Sequence, residues 1–240
     1  MWSICKKEFS QFFSSLTGLI AVVVFLLLNG FILFVFPDSS IFDFGYVTLE
    51  QFFSLAPMVL LLLIPAVTMR SFSDEFKTGT FEILQTKPLS RWQIILGKWV
   101  GSLLIAVIAL LPTLLYTISL QALSENAGLD TGATLGSYIG LLLLSAVFTA
   151  IGICSSSFTG NAVVAFIVSA FACFLLYNGF DAISRIPVFH AGADYYLEML
   201  GINFHYTSIS RGLIDSRDVV YFLSLVLFFL SLIHYKLVRR

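Results

Sequence analysis

The chain has 240 residues, 58% of them hydrophobic and only 11% charged, and its formal net charge is −1. Soluble domains carry about 25% charged residues, so the composition excludes an ordinary soluble protein. The three cysteines show neither a CxxC spacing nor a ligand cluster, which argues against disulfides and a zinc site. We therefore expect an all-α integral membrane protein with one transmembrane domain over residues 1–240, and no nucleic-acid partner.

The first predicted element is a helix along the membrane surface over Trp2–Phe13. Aromatic and aliphatic side chains recur there at helical spacing beside Lys6, Lys7 and Glu8, which gives one apolar and one charged face. Such a pattern is typical of an interfacial helix. The apolar run that follows is too long for a signal peptide and lacks a small-x-small cleavage site, so we interpret it as a retained span.

Six apolar runs are long enough to cross a bilayer, which needs about 20 residues per helix. They lie at approximately residues 16–36, 51–69, 99–120, 135–155, 162–180 and 219–238. Pro57, Pro65 and Pro112 fall within spans, where each removes a backbone donor and can kink the helix. Two small-x3-small pairs indicate close helix packing or a dimer contact, namely Gly97 with Gly101 and Gly136 with Gly140.

The distribution of basic residues predicts the orientation of these spans. If the N-terminus is cytoplasmic, all but Arg185, Arg211 and Arg217 of the 13 Lys and Arg residues fall on the cytoplasmic side. Loops on that side of a membrane are enriched in Lys and Arg. Both termini are therefore predicted to be cytoplasmic.

The spans offer little chemistry of their own. None has an Asp, Glu, Lys or Arg in its interior, which argues against a secondary transporter and against an intramembrane hydrolase. The Gly97-Lys98 pair lacks the other residues of a P-loop, so the chain does not bind ATP by that route. The His190–Asp194 pair is one residue short of the H-x4-D spacing of acyltransferases, so we expect no catalytic role for it. Asp194 and Glu198 are more consistent with a solvated face than with a metal site, and His205 and His234 are isolated in the sequence. No metal or catalytic site is expected.

The insert between the second and third spans carries the strongest pattern. Ser71 can cap a helix whose first turn holds Asp74 and Glu75, and Gly79 then permits a turn before a second helix at about 81–86. Ser90 and Gln93 form a capping box at the start of the next helix. We call residues 70–90 the elbow, a helix–turn–helix unit tied to two spans and suited to docking a soluble partner.

The loop from Asp181 to Asp218 is predicted to be the largest outer segment. Two short helices are expected in it, at 193–200 and 206–214. The segment is too apolar for a free loop, so it should dip into the outer leaflet or cap the helical bundle.

The elbow resembles the coupling region of ABC-2 type transporter permeases. The resemblance rests on these residues together with Pro88: Arg70, Phe72, Glu75, Phe76, Gly79, Thr80, Phe81, Glu82 and Leu84. The six-span layout and the run from Ser210 to Asp218 are similar to the same family. More narrowly, the chain resembles the permease subunit associated with bacteroidete gliding motility.

The resemblance implies partners and roles that the residues alone do not show. It implies a bacterial cytoplasmic (inner) membrane protein that pairs with a second copy or with a homologous permease bearing a large periplasmic domain. It also implies separate ABC ATPase subunits that hold ATP and Mg, so that this chain binds no cofactor and is not an enzyme. The nine elbow residues form the ATPase-coupling interface, and Arg211 and Gly212 belong to an extracytoplasmic re-entrant segment before the last span.

Three functions stay open from the sequence. The first is an ATP-driven exporter permease, and the second is a non-transporting scaffold or mechanical element of a cell-surface machine. The third, a secondary transporter, is disfavoured by the uncharged spans.

Overall fold

The computed structural model describes residues 1–35, 49–123, 129–186 and 193–239, and these ranges contain helices and no β-strand. The helices are α1 (Trp2–Ser14), α2 (Leu16–Val35), α3 (Glu50–Thr68), α4 (Ser73–Thr78), α5 (Thr80–Gln85), α6 (Arg91–Leu110), α7 (Leu114–Leu123), α8 (Thr131–Phe158), α9 (Ala162–Phe174), α10 (Phe180–Ser184), α11 (Ala193–Met199), α12 (Ile202–Ser210) and α13 (Ser216–Val238).

Five helical stretches among the described residues are long and apolar enough to cross a membrane: Glu50–Thr78, Arg91–Ala122, Thr131–Phe158, Ala162–Ser184 and Ser216–Val238. A sixth is obtained if Trp2–Ser14 and Gly18–Phe34, which are bent by 72°, make one span. This confirms the all-helical class and five to six spans. Phe36, the predicted end of the first span, lies outside the described residues.

α6, α8 and α13 begin before the apolar runs that predicted them. α6 begins at Arg91, well before the predicted span at 99, because Ser90 and Gln93 form both hydrogen bonds of the predicted capping box. At Pro112 the helix changes to a 3-10 turn over Leu111–Thr113 before α7. α3, by contrast, continues through both of its prolines.

Helix α8 is the centre of the bundle. It packs against α3, α6, α9, α12 and α13, and Leu141, Leu144, Val147 and Phe148 on it are fully buried. Large apolar side chains on α2, α9 and α13 remain exposed, as expected for surfaces whose solvent is lipid.

Both predicted glycine pairs pack within the chain. A Cβ on Gly97 would lie 2.9 Å from Ile4 Cβ, and one on Gly101 would lie 3.0 Å from Glu8 Cβ, so both face α1. Gly136 and Gly140 in the same way face α12. The close approaches therefore serve packing against α1 and α12 of this chain.

The two short helices of the last long loop are present with altered bounds. α11 over Ala193–Met199 agrees with the prediction, but the second helix covers 202–210 rather than 206–214. Gly201 has extended backbone before α12, and Gly212, with φ of 84°, lies just beyond its end. Glycine adopts this left-handed conformation at little cost, so the chain turns there before α13.

Candidate coupling interface

The elbow is a tight pair of short helices. α4 and α5 meet at Gly79, whose φ of 72° and ψ of 4° are left-handed. A Cβ at Gly79 would have no atom of the described residues within 4 Å, so the tip of the elbow lies in open space relative to them. The predicted helix–turn–helix is therefore present, with glycine at the position that requires it.

The cap of α4 comes from α8 and not from Ser71. Ser156 Oγ accepts hydrogen bonds from the backbone N–H of Phe72 at 2.9 Å and of Ser73 at 3.1 Å. The same hydroxyl donates to the carbonyl of Met69 at 3.2 Å. Ser71 Oγ instead donates to Glu8 Oε2 at 3.3 Å. Sequence reasoning missed this cap because the hydroxyl that accepts these two bonds lies in a distant helix.

One face of the elbow is packed against the bundle. The rings of Phe72, Phe76 and Phe81 lie with centroids 5.0 to 6.1 Å apart. Phe72 and Phe81 are buried, while Phe76 and Leu84 are half-buried. The apolar side chains that the resemblance assigns to the coupling region therefore fix the elbow in place.

A buried charge cluster joins the elbow to α1 and α6. Lys98 Nζ lies 2.7 Å from Glu8 Oε1 and 3.0 Å from Glu75 Oε1, and it donates to the carbonyl of Ser71 at 2.6 Å. Lys7 Nζ donates to the same Glu75 oxygen at 2.8 Å. The Lys98 side chain is fully buried, so its charge is stabilised by these partners and not by water.

The pKa of the Lys7 ammonium is shifted by its place in this cluster. Burial alone would lower it, but the hydrogen bond to Glu75 and the negative charges of Glu75 and Glu8 outweigh burial, so the pKa is raised. Lys7 therefore stays charged, and the cluster has two ammonium groups against two carboxylates.

The other face of the elbow is exposed. Arg70, Gly79, Thr80 and Glu82 of the predicted interface lie on it, whereas Glu75 is buried by the cluster. Ile83 is also on this face with 62% of its surface exposed, and the sequence analysis did not select it. The feature of the sequence that could have identified Ile83 is its position on α5, on the side away from Phe81 and Leu84.

Arg211 and Gly212 lie at the opposite end of the bundle. α12 packs on the N-terminal half of α8, where a Cβ on Gly212 would lie 2.9 Å from Ala133 Cα, while Ser156 near the other end of α8 holds the elbow. Arg211 is exposed and borders a cavity of about 450 Å³ between α3, α8 and α12.

Two histidines have partners that the sequence did not indicate. His205 Nδ1 lies 2.6 Å from Asp218 Oδ1, and its Nε2 donates to the carbonyl of Met199 at 2.9 Å. His234 stacks on Trp92 with centroids 4.7 Å apart. His190 of the His190–Asp194 pair lies outside the described residues. Among those that are described, no three or more His, Cys, Asp or Glu side chains are grouped as metal ligands would be.

These features define a multi-pass helical membrane protein with a rigidly held elbow at one end. The family model of the ABC-2 family transporter proteins matches residues 2–193, and the chain belongs to that family. Members are membrane subunits of ABC transporters that work with an ABC ATPase and are not themselves the ATPase. The chain is thus a transmembrane permease subunit. No curated protein matched it.

Proposed function

We propose that the permease subunit couples ATP hydrolysis by a separate ABC ATPase to export, and that the exposed face of the elbow is where the ATPase binds. The observation that carries the proposal is the division of the elbow into two faces. One face is fixed by the aromatic cluster, the Ser156 cap and Lys98, and the other presents Glu82 and Ile83 to solvent.

Such an elbow is suited to transmit movement. Its first helix, α4, follows α3 after one short turn. Ser156 joins the elbow to α8, and Lys98 joins it to α6. A displacement imposed on Glu82 and Ile83 would therefore be passed to three helices of the core, since packed interiors deform little.

We also propose the partners, the membrane and the orientation of the subunit. ATP and Mg are bound by the ATPase, and the permease acts with a second copy or with a homologous permease that carries a large periplasmic domain. The elbow faces the cytoplasm, with both termini, in a bacterial inner membrane. The predominance of Lys and Arg on this side supports that orientation. Reporter fusions at the two termini and after Met199 test it.

Ile83→Asp is the sharpest test of the docking face. Ile83 is 62% exposed, so its replacement leaves the fold intact, and Leu213→Asp is a matched control because Leu213 is 69% exposed at the opposite end. The tagged chain is purified from its native membranes in mild detergent. We expect an ABC ATPase to copurify with the wild type and the control, and to be lost with Ile83→Asp.

Two outcomes would contradict the proposal. Copurification of no ATPase with the wild type would remove the coupling function, and retention of the ATPase by Ile83→Asp would place the docking face elsewhere. A copurifying permease with a large periplasmic domain would support the gliding-type assembly. In that case, ATP hydrolysis without solute or lipid transport in vesicles would favour mechanical work over export.

A further inference from the structure

A basic concavity surrounds the turn between α8 and α9, at the same end of the bundle as the elbow. Two cavities meet at Gly160. The first, of about 340 Å³, lies between this turn and the end of α13, where Lys236 and Arg239 border it. The second, of about 460 Å³, lies between the turn and the elbow, where Arg70 and Lys77 border it.

The charge of this concavity is strongly positive. Four cations border it against one carboxylate, that of Asp74, which gives a net charge of +3. Among the described residues, none of the four cations forms an ion pair with a carboxylate. Lys236 lies over the Phe158 ring at 5.3 Å, and Arg239 lies over the Tyr235 ring at 4.2 Å. The aromatic contacts orient the two cations but do not neutralise them.

The backbone adds to the positive potential. α9 begins at Ala162, and its N-cap residue Asn161 directly follows Gly160. Among the described residues, the Asn161 side chain accepts from the Val163 N–H only, and the other amides of the first turn carry the positive end of the helix dipole.

Apolar surface adjoins the cations on the outside of the bundle. Phe158 and Val163, which border the two cavities, have 58% and 63% of their surfaces exposed. Val164 and Ile167 continue an exposed apolar strip along α9. A ligand that fits here has an anionic head beside a long apolar body, because the cations border a strip of α9 that faces the acyl chains of the bilayer.

We propose that the α8–α9 turn binds an anionic phospholipid, with its phosphate at Gly160 between Lys236, Arg239 and Lys77 and its acyl chains along α9. Basic pockets between transmembrane helices bind anionic head groups in this way. The bound lipid would bridge α13 to the elbow, so its phosphate would compensate cations that repel one another across the turn. This inference does not depend on the ATPase.

Native mass spectrometry of the full-length chain in mild detergent tests the site. The chain is titrated with palmitoyl-oleoyl phosphatidylglycerol, and separately with the phosphatidylcholine of the same acyl chains. We expect preferential binding of one phosphatidylglycerol. Lys236→Gln with Arg239→Gln should weaken it by roughly thirtyfold, since each basic residue near the surface contributes about a fivefold factor.

Two further variants separate a site from general charge attraction. Lys6→Gln with Lys87→Gln removes two exposed cations elsewhere and should leave the binding unchanged. Lys236→Arg with Arg239→Lys keeps both charges and should retain the binding of phosphatidylglycerol. Equal weakening by Lys6→Gln with Lys87→Gln would overturn the inference.

Soluble anions distinguish the source of the phosphate. Inorganic phosphate and deacylated glycerophosphoglycerol should compete poorly, because neither covers the apolar strip. Equal binding of phosphatidylcholine, or full competition by inorganic phosphate, would overturn the lipid assignment. The assignment would also be overturned if the Lys236→Gln and Arg239→Gln variant bound the lipid as the wild type does but no longer copurified with the ATPase. The two cations would then belong to a protein interface.

Discussion

Lys98 of α6 and Glu75 of α4 form an ion pair inside the protein, with Nζ 3.0 Å from Oε1. The pair connects a transmembrane helix to the first helix of the elbow, and Glu8 of α1 completes it at 2.7 Å from the same ammonium. Burying these charges is costly unless each has a partner. Their arrangement therefore makes the position of the elbow depend on α1 and α6 together.

Lys98→Met should strongly destabilise the protein. The substitution keeps the size of the side chain but leaves Glu8 and Glu75 without their buried cation, and removal of one partner of a buried pair costs roughly 3–5 kcal/mol. Lys7→Met is the control, because the Lys7 side chain is 53% exposed and its loss leaves Lys98 in place. Thermal unfolding of the purified chain compares them, and equal stability of the two variants would contradict the buried cluster.

Ser156→Ala should loosen the start of α4. The lost hydroxyl accepts from two backbone amides of the elbow, and loss of an N-cap costs about 1 kcal/mol. Ser155→Ala is a matched control, because within the described part of the chain Ser155 Oγ bonds only to the Ile151 carbonyl of its own helix. Hydrogen exchange should accelerate at the Phe72 and Ser73 amides in Ser156→Ala alone. Unchanged exchange there would show that the cap does not hold the elbow.

Gly79→Ala should destabilise the elbow through its backbone and not through a clash. No atom of the residues that the structure describes lies within 4 Å of the added Cβ, but φ is 72°. A left-handed conformation costs a non-glycine residue roughly 1–2 kcal/mol. Gly160→Ala is the control, since its Cβ would meet only the Lys77 nitrogen at 4.0 Å and its φ is not positive. The midpoint of thermal unfolding should fall in Gly79→Ala and stay near the wild-type value in the control.

The sequence predicted the structural features that depend on local residue patterns. Apolar runs located the long helices because hydrophobic length determines a span, and Ser90 with Gln93 predicted the capping box because all of its atoms lie within one turn. It could not predict which face of the elbow is buried. That depends on Lys98 and Ser156, which are far from α4 in the chain and approach it only after folding. Pairing of His205 with Asp218 was missed for the same reason.

His205→Phe should destabilise the end of the bundle opposite the elbow. Phenylalanine preserves the stack on Tyr221, whose centroid lies 3.9 Å from that of His205, but it leaves the buried Asp218 carboxylate without its partner. Asp218 Oδ2 already has none among the described residues, so the loss should cost roughly 1–3 kcal/mol, the penalty for a buried polar atom left unsatisfied.

A double variant identifies the cause of that loss. His205→Phe with Asp218→Leu removes both polar groups, and it should recover most of the stability because no buried carboxyl group is left without its partner. His234→Phe is the control, since His234 stacks on Trp92 and has no carboxylate partner among the described residues. If the double variant unfolds at a lower temperature than His205→Phe alone, the pair is not the source of the stability.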